Sequence, residues 1–128
     1  MLSMYNKLKN IEGVPLQAKE VVGPALVGSI EYFEGEKSIY HGSLVATTKR
    51  LFLNLEDRGV ICIEDFDYDR ITRITVEDLL MVGHIVHLWH DDQLIVSIKS
   101  ISEGKLDKFL EFVYKYKGRY TVEKEALT

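Results

Sequence analysis

From residue 44 the chain alternates with a period of two: Leu44, Ala46 and Thr48 against Val45, Thr47 and Lys49, then Leu51, Leu53 and Leu55 against Phe52, Asn54 and Glu56. Successive side chains of an extended backbone point to opposite faces, so this pattern predicts strands. Glu56-Asp57-Arg58-Gly59 supplies a polar turn with a glycine where a positive φ is needed, and Val60-Ile61-Cys62-Ile63 resumes the sheet. Residues 51 to 63 therefore form a predicted hairpin. Upstream, Val21-Val22 and residues 25 to 33 are apolar but broken by Gly23-Pro24 and Gly28, which predicts short strands ending in the turn Glu34-Gly35-Glu36-Lys37. Downstream, Ile71, Ile74 and Val76 alternate less regularly, and Leu79-Leu80-Met81-Val82-Gly83 reads as a bend or a short buried strand. Residues 84 to 90 and 93 to 99 predict a second hairpin around Asp91-Asp92, with Val86, Leu88, Leu94, Val96 and Ile98 inward.

The period changes after residue 100. Leu106, Phe109, Leu110 and Val113 stand at i, i+3, i+4 and i+7, which places them on one buried face of a helix over residues 103 to 117. Ser102 is a candidate cap with Ile101 and Leu106 as a staple, Ser100 and Glu103 offer a capping box, and Gly118 a stop. Leu2, Tyr5 and Leu8 suggest a helical turn closed by Gly13 and Pro15, and residues 119 to 128 read as a loose tail or an added strand. Strands followed by one amphipathic helix make an α+β domain, an antiparallel sheet covered by that helix.

Composition narrows what such a domain does. With 128 residues, 46% of them apolar, one self-sufficient core is expected. A formal net charge of -4 opposes nucleic-acid binding and constitutive attachment to anionic lipid, both of which need a surplus of Lys and Arg. Cys62 is the sole cysteine, which excludes an intrachain disulfide or a cysteine-built zinc site and suits a reducing compartment. The start Met1-Leu2-Ser3-Met4-Tyr5-Asn6-Lys7 lacks the pattern of a signal peptide, and no apolar run has the length of a membrane span, so a cytoplasmic location is expected.

Glu34-Gly35-Glu36, the run from Gly42 through Thr47-Thr48-Lys49-Arg50-Leu51-Phe52-Leu53, and the later Phe66-Asp67-Tyr68-Asp69-Arg70-Ile71, in this order before a final helix, resemble the YokE-like bacterial pleckstrin-homology (PH) family and the related GRAM modules. The likeness covers roughly residues 25 to 117. It implies a PH-like roll of about seven antiparallel strands capped by one C-terminal helix. For several relatives it also implies a ring-like homo-oligomer, and it implies no catalytic residue. The domain is expected at residues 25–118, with an N-terminal extension at 1–24 packed on it and a C-terminal tail at 119–128. Phosphoinositide-binding PH domains use basic residues in the first strand pair. Here Glu31, Glu34 and Glu36 stand against Lys37 and His41, so that activity is not carried over.

Several constellations invite chemistry. His84, His87 and His90 have the spacing of a metal cluster on a helix, but on a strand His84 and His90 lie about 20 Å apart with His87 on the other face. Asp65-x-Asp67-x-Asp69 begins like a calcium loop and fails where Arg70 and Val76 replace the glycine and the closing glutamate, so a strand with Phe66 and Tyr68 inward and acids outward is expected. Cys62 between Ile61 and Ile63 reads as a small buried hydrophobe. Lys115, Lys117 and Arg119, interleaved with Tyr114, Tyr116 and Tyr120, form the candidate anion-facing or partner-facing surface, and equally suit a solvated helix end whose cations complement the dipole. Leu26, Val27, Ile30 and Tyr32 lie in a stretch poor in charge and form the candidate oligomer edge.

The expectation is thus a non-catalytic module without cofactor or metal, binding a protein partner, itself as a homo-oligomer, or both. The alternative is a small-molecule or anionic-lipid binder at the open end of the roll, and an enzyme stands third. Nucleic acid is not an expected partner, and peripheral membrane contact is secondary.

Overall fold

Alternation carries most of the chain into strands. The computed structural model describes residues 8, 11, 13–33, 38–117 and 122–125. Their order is β1 (Val22–Tyr32), β2 (Ser38–Thr47), β3 (Arg50–Asp57), β4 (Val60–Asp67), a single 3-10 turn (Tyr68–Arg70), β5 (Arg73–Leu79), β6 (Gly83–His90), β7 (Gln93–Glu103), the helix α1 (Leu106–Lys117) and β8 (Val122–Glu125). The strands form one sheet in the order β4-β3-β2-β1-β7-β6-β5-β8, antiparallel throughout except where β8 pairs parallel to β5. The expected helix-capped roll of seven antiparallel strands is observed, and of the two readings of the tail, residues 122–125 adopt the added strand.

β1 joins the halves of the sheet, pairing with β2 from Val22↔Thr47 to Tyr32↔Ser38 and with β7 from Val27↔Glu103 to Tyr32↔Val96. It is continuous through Gly23-Pro24 and Gly28, which appear as register shifts rather than breaks. Gly28 is where the backbones close in, since a Cβ there would lie 2.6 Å from the Lys99 carbonyl oxygen. The candidate oligomer edge is corrected by this topology. Leu26, Val27 and Ile30 are wholly buried, Tyr32 is half-buried, and β1 has a neighbour on either side. Low charge there marks a central strand, because such strands are covered on both faces.

One cluster, including Leu26, Leu44, Leu53, Phe66, Ile74, Val86, Ile98, Phe109 and Val113, draws on both halves of the sheet and on α1. A second face is also covered. Ile11, Val45 and Phe52 pack together behind β2 and β3, and the carbonyl of buried Leu8 accepts hydrogen bonds from Ser43 Oγ and from Asn54 Nδ2. The helical turn expected around Leu2 and Tyr5, the turn at residues 34–37 and the stop at Gly118 lie outside the described residues.

Three local expectations are corrected. The helix begins at Leu106, not 103, because β7 continues to Glu103 on its pairing with Val27, so Ser100, Ser102 and Glu103 are strand residues, and Ser102 Oγ donates to the Val27 carbonyl. Gly104, at φ +100, turns the chain, and the Phe109 amide donates to Lys105 O to open the helix. In the second hairpin Val86, Leu88, Val96 and Ile98 are buried, but a bulge beside Trp89 leaves Leu94 half-buried and puts Ile95 inside. Cys62 is exposed, since it stands on β4 at the edge of the sheet, with a neighbour on one side only, where its partner Leu55 is buried. Of the two readings for residues 79 to 83, the bend is found, and it is not buried.

Candidate functional site

The last turn of α1 folds onto the 3-10 turn. There Lys117 is 5% exposed, and its Nζ donates to Tyr68 O at 3.0 Å, while Tyr68 Oη donates to Thr47 O. Burial pushes the Lys117 ammonium down to about 8, partly countered by Asp69. Lys115 lies on the surface beside Tyr116, 5.3 Å from its ring centre, and Arg119 is outside the described residues. The proposed basic surface therefore loses Lys117, because a lysine stem long enough to cross the helix end finds a carbonyl inside.

The three histidines diverge along β6. His84 pairs with Asp78 at the exposed end of the strand, and His90 Nδ1 donates to the Arg70 carbonyl at the other. His87, on the opposite face, bridges Ser97 Oγ at 2.6 Å and Glu77 Oε2 at 3.0 Å. Trp89 Nε1 donates to Thr75 beside it, with the Arg73 guanidinium over the indole. With its proton on Nε2, His87 donates to Glu77 and accepts from the Ser97 hydroxyl. That Glu-His-Ser chain resembles a relay, yet Ser97 is 7% exposed and its strand is paired on both sides, with His87 and with Glu31. At that exposure the Ser97 hydroxyl is not presented to a substrate. Sequence spacing missed this chain because the three residues meet only through the register Thr75↔His87↔Ser97.

Two acidic features resolve differently. Phe66 and Tyr68 are buried and Asp65, Asp67 and Asp69 exposed, as expected, but the strand ends at Asp67 and Tyr68–Arg70 form the 3-10 turn. Asp65 accepts from Arg50, whose guanidinium also donates twice to Glu20 at 3.0 Å and to the Pro15 carbonyl. Burial raises the Glu20 pKa, but hydrogen bonds from Arg50, Thr47 and the Gln17 amide outweigh it and hold the carboxyl at about 2. Glu20 is a clasp, fixing residues 15 to 21 across the β2–β3 turn. Among the described residues no group of His, Cys, Asp and Glu is placed to hold a metal ion, and no helix is long and apolar enough to cross a membrane.

One groove, of about 540 Å³, lies between the β5–β6 turn and the start of α1. Its floor is apolar, from Val76, Val82, Ile101, Leu106 and Leu110, and its rim carries Asp78, His84, Lys105 and Asp107. Beside it the turn projects Leu80 and Met81, 93% and 98% exposed, with Val82 at 47%. Met81 adopts φ +71, a left-handed conformation that glycine or asparagine adopts at lower cost. Single exposed apolar residues are ordinary on any protein, but adjacent ones on a strained turn next to an apolar groove are not. In the sequence this run fits a bend or a short buried strand equally, since an apolar run alone does not say which side is wet.

A model of a protein family described as a bacterial PH domain matches residues 16–115. No curated protein matches the chain.

Proposed function

The chain belongs to the bacterial PH domain family, and from that premise we propose that it is a non-catalytic cytoplasmic module that holds another protein at the β5–β6 turn and its groove. The observation that carries this reading is the near-complete exposure of Leu80 and Met81. A polar turn would be better hydrated and less strained, so the apolar tip is worth its cost only when something covers it. The remaining constellations favour binding over reaction, because the Glu-His-Ser chain is closed to substrate and Arg50, Glu20 and Lys117 are engaged inside the fold. A small-molecule ligand is the second reading, since the groove falls within the usual volume range of such sites.

A photo-reactive amino acid placed at Met81 in the native cell, with the same group at exposed Val60 as control, tests both. Protein adducts at position 81 and not at position 60 support the proposal. Adducts only of small mass favour the second reading, and equal labelling at both positions sinks both.

A further inference from the structure

We propose that residues 8–20 are a strap occupying in cis a binding face on β2 and β3, and that this face, once bared, takes an extended acidic segment of another protein. The inference is independent of the β5–β6 turn, which takes no part in it. Register lays the face out: Ser43 stands beside Asn54 and Val45 beside Phe52, with Thr47 and Arg50 at the ends of the same two strands. Alternation sends Leu44, Ala46, Leu51 and Leu53 to the main core and the other set to this side. The strap meets each group in turn. The Leu8 carbonyl accepts from Ser43 Oγ and Asn54 Nδ2, and Ile11 packs on Val45 and Phe52. The Glu20 carboxylate lies across the Arg50 fork, with Nε and Nη2 each at 3.0 Å and Thr47 Oγ1 at 2.6 Å, while the guanidinium stacks 4.6 Å over the Phe52 ring.

The occupant in cis states the chemistry of the occupant in trans. A planar fork backed by an aromatic ring, with a hydroxyl beside it, is a receptor for a carboxylate whichever chain supplies it. The apolar seat at Val45 and the carboxylate seat at Thr47 are two strand residues apart, about 7 Å. The fitting segment is therefore extended, with an apolar and an acidic side chain two positions apart on one side, and its main chain supplies the carbonyl for Ser43 and Asn54. The strap is also separable from the fold. Ile11, Val45 and Phe52 form a cluster distinct from the one that unites the sheet with α1, and the family match begins at residue 16, after Leu8 and Ile11. Lys19 holds φ +65 in the turn closed by the Glu20 amide on Gln17 O, a conformation that a lysine adopts at a cost and that the Glu20 contacts hold in place. Most groups beneath the strap are polar, so water replaces it at less cost than it would over an apolar core.

Amide hydrogen exchange on the full chain reads the opening. The Val14 and Glu20 amides, bonded within the strap, should exchange at least about tenfold faster than those of the β2–β3 ladder, and Glu20→Gln should speed them further while leaving α1 unchanged. The binding probe is a fluorescent Ser/Thr peptide carrying Ile and Glu two positions apart. It should bind the Glu20→Gln chain about tenfold more tightly than wild type, because a closed strap lowers apparent affinity by the fraction of chains it occupies. The same peptide with Gln for Glu, or Arg50→Lys added to the Glu20→Gln chain, should abolish that gain. If Glu20→Gln does not fold, Glu20→Asp replaces it, a shorter carboxylate that reaches the fork poorly. Strap and ladder amides exchanging in one common event would show the strap to be part of the fold and overturn the proposal. Peptide binding indifferent to its Glu or to Arg50, or inorganic phosphate bound where the peptide is not, would equally overturn it.

Discussion

Glu20 shows how much of this molecule depends on partners distant in sequence. Nothing in the run around it announces a buried carboxylate, because its hydrogen-bond donors come from Thr47 and Arg50 as well as from the nearby Gln17 amide. Its folded pKa of about 2 lies below the ordinary 4.5, so its stabilisation is complete above pH 4.5 and is lost as the pH falls toward 2. Glu20→Gln should cost about 2 to 3 kcal/mol at neutral pH, and the gap to wild type should close on acidification, as urea melts at a series of pH values will read. Lys117 runs the other way. Its folded pKa of about 8 lies below 10.5, so the unfolded chain holds the extra proton in that window and stability rises with pH through it. Lys117→Met should raise stability at neutral pH by about 1 kcal/mol, the relieved charge outweighing the lost bond to Tyr68, and the gain should shrink in alkaline buffer. Sequence placed Lys117 at the helix end correctly but not its head group, which depends on where the 3-10 turn stands.

At the scale of elements, periodicity was legible wherever an element's own pattern decided its form. The alternation from Leu44 to Leu55 reappears as strands, and of the helical set Phe109, Leu110 and Val113 are buried while Leu106, at the first turn, is half-buried. The start of α1 was not legible, because the competing state, a β7 lengthened by pairing with β1, involves a strand far away in sequence. For the same reason both faces of β2 and β3 are buried: alternation identifies two faces, while the segment around Leu8 and Ile11 decides that neither is wet. Replacing Phe109, wholly buried under the sheet, by Ala should cost about 3 to 5 kcal/mol in chemical denaturation. Two glycines separate backbone freedom from space. Gly59, at φ +83 with open surroundings, should cost about 1 kcal/mol on change to Ala. Gly42→Ala should cost about 3 kcal/mol or more, since its Cβ would stand 2.3 Å from the Asn54 carbonyl oxygen and force β2 from β3.

For the whole molecule, the net charge of -4 opposes anionic surfaces, and among the described residues Lys117 is buried away from Lys115, so binding to anionic vesicles at physiological salt should be weak in a flotation assay. The groove and tip were invisible at this scale in the sequence, because they arise where a turn between two strands meets a helix that follows a third. The double pairing of β1 has a further consequence, for the order in which the fold is made. Made before the other described strands, β1 can join β2 early, but its other edge must wait until residues 96 to 103 have been synthesised. During that interval an apolar strand is half-satisfied, and the nascent chain is open to capture by chaperones and by its neighbours on a polysome. Refolding from denaturant should accordingly be slow, in the millisecond-to-second range of domains dominated by distant contacts, and stopped-flow fluorescence of Trp89, on the β6–β7 side, should report the joining of the halves.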